Sequence, residues 1–88
     1  MKRARVEVTG DVQGVGFRMA AANRARSRGV AGFVRNRADG AVEAAFEGDP
    51  DSVDTLVAWC RRGPRGARVD GVTVEVEPPK GERGFRIE

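Results

Sequence analysis

The chain has 88 residues, 40% apolar and 33% charged, with a net charge of +3 carried almost wholly by arginine. That describes one soluble globular domain over 1–88 with a modest core, roughly 60–65% of its unfolded surface buried. There is no histidine and one cysteine, Cys60. This excludes histidine general bases, Ser/Cys–His nucleophile pairs, internal disulfides and ordinary zinc sites, and no apolar run approaches a membrane span. Met1-Lys2-Arg3 is basic without an apolar signal region behind it, so a cytoplasmic protein with no membrane partner is expected.

In chain order, Ala4 to Thr9 alternates, Val6 and Val8 on one face and Arg5, Glu7 and Thr9 on the other, as in a half-buried strand. The stretch Gly10-Asp11-Val12-Gln13-Gly14-Val15-Gly16-Phe17-Arg18 follows. Its three glycines permit positive φ, and successive amides in such a turn can converge into an anion nest. A helix over Phe17 to Arg28 would add its free N-terminal N–H groups, and Arg18 a planar cationic fork suited to phosphate oxygens. The stretch thus reads as a phosphate cradle with a cation at its rim, or as a glycine-rich turn with no chemical role. Ala20, Ala21, Ala22 and Ala25 form the inner side of this helix, Arg24, Arg26 and Arg28 its solvated side, and Gly29 its C′ residue.

Gly32 to Arg37 and Ala41 to Glu47 read as two strands of a hairpin around Ala38-Asp39-Gly40. A second helix starts at the N-cap Asp49 with Pro50 at its first position. It places Val53, Leu56, Val57 and Cys60 on one apolar face and stops at Gly63-Pro64. Trp59 reads as a semi-exposed packing residue and Cys60 as an inert core thiol. A strand over Val69 to Glu77 turns Val72, Val74 and Val76 inward, and Phe85-Arg86-Ile87 is a short last strand. The order βαββαβ plus a short C-terminal strand implies an α+β, ferredoxin-like split β-α-β sandwich, two helices on one face of an antiparallel sheet. That fold hosts many functions.

Gly10 to Arg18 (GDVQGVGFR) and Gly32 to Gly48 (GFVRNRADGAVEAAFEG) resemble the two signature segments of the acylphosphatases, and the likeness continues through Trp59-Cys60-Arg61-Arg62-Gly63-Pro64 and Ala67-Arg68-Val69. Phe33 stands where the family more often has tryptophan, and Arg28 where it often has leucine. The resemblance implies hydrolysis of acyl phosphates to a carboxylate and inorganic phosphate. It implies Arg18 and Asn36 as catalytic residues, and Gln13, Gly14, Val15, Gly16 and Phe17, with Arg18, as the phosphate-binding loop. The implied partners are a small-molecule acyl phosphate and inorganic phosphate, the latter as product and inhibitor. No cofactor, metal or nucleic acid is expected, and the protein is expected to be a monomer.

The missing histidine is compatible with that chemistry. A carboxylate leaves well without a proton, and a loose phosphoryl-transfer transition state asks little of a base. Asn36 also sits beside a turn, where asparagine is often structural. Two other readings remain: an acylphosphatase-like regulatory or carbamoyl-phosphate-handling domain, and a nucleic-acid-binding module on the same fold. The first strand offers no aromatic platform for the latter.

Overall fold

A computed structural model describes residues 1–88. The elements are β1 (Lys2–Asp11), α1 (Phe17–Ser27), β2 (Ala31–Asn36), β3 (Val42–Gly48), α2 (Pro50–Cys60), β4 (Arg68–Glu77) and β5 (Phe85–Ile87). The strands form one sheet in the order β4-β1-β3-β2-β5. All neighbours are antiparallel except β2 and β5, which run parallel. Both helices lie on one face, so the ferredoxin-like α+β arrangement expected from the element order is the one adopted. No helix is long and apolar enough to cross a membrane.

The core lies between the helices and the sheet. Ala4, Val6 and Val8 from β1, Val42, Ala44 and Phe46 from β3 and Val34 from β2 meet Ala21, Ala22 and Ala25 of α1 and Val53, Leu56 and Cys60 of α2. The small side chains of α1 let its backbone approach the sheet closely. Each helix has the end signal its sequence suggests. The Asp49 carboxylate accepts the Ser52 N–H at 3.2 Å at the start of α2, and Gly29 has φ 67° just past α1.

Two packing expectations fail. Val74 and Val76 share a face with Val72, yet they are 37% and 70% exposed. The strand β4 is an edge strand, and α2 packs over β1 and β3 instead. Trp59 is only 5% exposed rather than semi-exposed. Its ring lies 5.1 Å from that of Phe17, and the Arg24 guanidinium caps it at 4.9 Å.

The opposite face of the sheet is covered mainly by ion pairs, around a small apolar patch of Phe33 and Ala45. Arg3, in the basic N-terminal triplet, is 2% exposed. Its guanidinium donates to Glu77 at 3.0 Å, Glu47 at 3.2 Å and Glu82 at 3.3 Å. Arg5 bridges Glu77 and Glu43, and Arg35 holds the other oxygen of Glu43. Glu47 also accepts the backbone N–H groups of Lys80, Gly81 and Glu82 at 2.8, 2.8 and 2.9 Å. That last set fixes the turn delivering β5 to the sheet. The Phe33 ring has Arg5 at 5.8 Å and Arg86 at 5.5 Å, so the one aromatic on this face is already covered by cations.

Candidate active site

The connection from β1 to α1 begins where β1 leaves its partner strands, and its shape follows from two left-handed glycines. Gly14 has φ 75° and Gly16 φ 80°, a region that side chains rarely adopt. A Cβ at either would meet nothing within 4 Å. Glycine is therefore required by backbone conformation, and the space in front of the loop is open. Gly16 is also the N-cap of α1 and offers no side chain to its first turn.

The consequence is a run of uncommitted donors. The first backbone bond into α1 is from Ala20 to the Gly16 carbonyl, 3.0 Å. The N–H groups of Gly14, Val15, Gly16, Phe17, Arg18 and Met19 find no acceptor within the protein. They stand at the positive end of the α1 dipole. A turn of no chemical significance would not need so many unpaired amides side by side, and an anion is the natural acceptor for them.

Two anchors hold this loop. Phe17 is buried against Trp59 of α2. The Gln13 side-chain amide donates to the carbonyl oxygens of Arg37, 2.7 Å, and Ala41, 3.0 Å, the two ends of the β2–β3 turn. Inside the turn, Arg37 N–H donates to Ala41 O at 2.8 Å and Ala41 N–H to the Asp39 carboxylate at 3.1 Å. Asn36 is the last residue of β2 and pairs with Val42 through its backbone. Its side-chain amide makes no hydrogen bond to any other part of the protein. The turn is thus held by Gln13, Asp39 and backbone, which leaves the Asn36 amide free for something outside the protein.

A cavity of about 200 Å³ lies where these elements meet, lined by Gly14, Gly16, Phe17, Arg18, Met19, Asn36 and Ile87. Of the residues expected at the site, Gly14, Gly16, Phe17, Arg18 and Asn36 are brought together there. Gln13 and Val15 do not line it. The Gln13 amide is spent on the hairpin, and Val15 packs partly against the core. Arg18 Nη1 donates to the backbone oxygen of Glu88 at 3.2 Å, and Glu88 N–H is itself bonded to Val34 O at 2.9 Å. Arg18 is therefore positioned by the segment after β5. The sequence gives no sign of this, because the contact spans 70 residues. Met19 and Ile87 were likewise not expected at the site. Arg18 is the only ionised side chain in the lining, and no carboxylate or thiol lines it.

A larger groove of about 560 Å³ runs between α1 and α2, lined by Arg24, Arg28, Arg62 and Trp59 among others. It contains neither the uncommitted amides nor Asn36. Uncommitted loop amides, the Arg18 cation and the free Asn36 amide come together only at the smaller cavity. Cys60 is fully buried and its thiol is pushed up to about 12 by burial, with Arg61 opposing weakly, so it is no nucleophile.

A family model described as Acylphosphatase matches residues 4–87. An acylphosphatase of Rubrobacter xylanophilus is 56% identical over 87 residues, 98% of this chain and 79% of that one. The crystal structure of acylphosphatase from Bacillus subtilis superposes with a TM-score of 0.95 at 35% identity, covering 100% of this chain and 99% of that chain. The structure of T. kodakarensis HypF contains a similar unit, TM-score 0.84 at 30% identity, which is 12% of its chain.

Proposed function

Since this chain belongs to the acylphosphatase family, whose members hydrolyse acyl phosphates to a carboxylate and inorganic phosphate, we propose that its loop amides and Arg18 hold the phosphoryl group and that Asn36 positions the attacking water. The observation that supports this reading is that Gly14, Gly16, Phe17, Arg18 and Met19, whose N–H groups are unpaired, line one cavity together with Asn36, whose side-chain amide is free.

In the reaction, the water oxygen forms a bond to phosphorus and the bond from phosphorus to the acyl oxygen breaks. The electron pair leaves on the carboxylate. Its conjugate acid has a pKa of about 4, so no general acid is required. Charge on the phosphoryl oxygens is met by fixed donors that need no reorganisation, which is where most of the rate enhancement arises. Asn36 accepts from the water through its amide oxygen and donates to the substrate through its nitrogen. It cannot take a proton at neutral pH, so the water proton passes to a phosphoryl oxygen. No step needs a metal ion, and the lining offers none of its usual carboxylate ligands.

The test separates binding from catalysis. Asn36→Ala leaves loop and arginine in place, so phosphate inhibition should change by less than about threefold while turnover falls at least about a hundredfold. Circular dichroism checks the fold. Near-parent turnover in Asn36→Ala would remove Asn36 from the mechanism.

A further inference from the structure

The cavity has two chemically different walls. One is the donor wall of loop amides, Arg18 and Asn36. The other is apolar, made by Met19 in the first turn of α1 and Ile87 in β5. Met19 is 56% exposed and Ile87 36% exposed, and they are two of only five large apolar side chains left in solvent anywhere on the molecule. The other three, Met1, Val74 and Val76, lie in β4 and at the N-terminus, outside the cavity lining. Their placement at the cavity follows from the fold. Ile87 is in register with Val34, and Asn36 lies two residues further along the same strand on the same face. Met19 directly follows Arg18.

From this we infer that Met19 and Ile87 form the subsite for the acyl group, and that the enzyme selects acyl phosphates with an apolar, chain or aryl, acyl moiety. The inference rests on the phosphate reading of the donor wall. With the phosphoryl group on the amides and Arg18, the acyl portion must leave the cradle past the remaining lining, which is Met19, Ile87 and the Phe17 side of the loop. No second cation lines the cavity to receive a carboxylate on the acyl chain, and no carboxylate lines it to receive an amine. The nearby Glu88 side chain is held by Arg86 at 2.6 Å. A carbamoyl group would bring two N–H donors to a wall whose one side-chain acceptor is the Asn36 amide oxygen, and it offers no apolar surface to Met19 and Ile87. An apolar acyl group instead covers two exposed apolar side chains, gaining by the area removed from water.

Three substrates with leaving carboxylates of similar basicity test this: benzoyl, acetyl and succinyl phosphate. The parent protein should show kcat/KM for benzoyl phosphate about tenfold or more above both others, the scale on which apolar pockets discriminate. Met19→Ser and Ile87→Ser should each lower the benzoyl-to-acetyl ratio severalfold, and the double variant about tenfold. Met19→Lys should raise succinyl over benzoyl phosphate, because it adds the missing second cation. Both side chains are exposed enough for these variants to fold, which circular dichroism verifies. A parent ratio near one, or ratios unmoved in all the variants, overturns the subsite alone when Arg18→Ala and Asn36→Ala still depress all three substrates together. Parent-like rates for Arg18→Ala and Asn36→Ala on all three overturn the site itself, and the subsite with it.

Discussion

Gln13 Nε2 lies 2.7 Å from the carbonyl oxygen of Arg37, the residue after Asn36. This bond, with its companion to Ala41, ties the proposed phosphate loop to the strand end that carries the proposed water-positioning residue. Loop and amide are thus held in register by one side chain that lies outside the cavity lining.

Gln13→Ala should therefore act on both levels. Both carbonyls keep a backbone partner, Arg37 O from Gly40 and Ala41 O from Arg37, so no acceptor is stranded. The loss of stability should be about 1–2 kcal/mol for two bonds, read by urea unfolding. Turnover should fall by more than phosphate affinity, because loop and Asn36 separate while the amides persist. Unchanged turnover would show that the loop keeps its place without the tie.

Arg18→Ala should weaken competitive inhibition by phosphate and lower turnover by at least about 10²–10³, the loss typical of one preorganised donor. Arg18→Lys should restore little, since a point charge cannot both reach the phosphoryl oxygens and keep the bond to Glu88 O. Inhibition constants for phosphate in the two variants decide this, and parent-like binding in Arg18→Ala would end its assigned role.

The ionic face predicts acid sensitivity. Hydrogen bonds from Lys80 N–H, then from Glu82 N–H, Arg3 and Gly81 N–H, hold the Glu47 carboxyl below its usual range against the opposing effect of burial. Burial pushes Glu43 and Glu82 up, but their arginine partners outweigh it and both are lowered; Arg5 and Arg3 lower Glu77. A carboxylate depressed in the folded state adds stability that is present above its unfolded pKa of about 4.3 and disappears as pH falls through the folded value. Urea midpoints should be flat from neutral pH to about pH 5 and drop steeply below about pH 4. A midpoint that stays level to pH 3 would mean that the network contributes nothing.

Arg3→Ala strips a buried cation from three carboxylates. The expected loss is about 3–5 kcal/mol, as for breaking a buried pair by removing one partner. Glu47→Gln should loosen the Lys80 to Glu82 turn, and with it β5, Ile87 and the Glu88 contact to Arg18. Its signature is reduced turnover well below the unfolding midpoint, together with faster amide exchange in residues 85–88. Parent-like exchange there would detach the network from the site.

The sequence by itself determined the element order, both helix ends and the two signature segments, whose resemblance pointed to the family. These are local properties: alternation, glycine at positive φ, Asp49 and Pro50 at a helix start, and a loop whose content is contiguous. Only the tertiary structure decided that Gln13 serves the hairpin, through carbonyls 24 and 28 residues away, and that the Asn36 amide is consequently left unspent. It alone buried Arg3 and Trp59 and exposed Val74 and Val76. A residue's burial depends on what lies across the sheet or beside the helix, and β4 fell at an edge while Arg3 fell among three carboxylates. The apolar wall of the site is the clearest case. Met19 and Ile87 stand 68 positions apart and line one cavity only because the parallel pairing of β5 with β2 brings the end of the chain beside the first turn of α1.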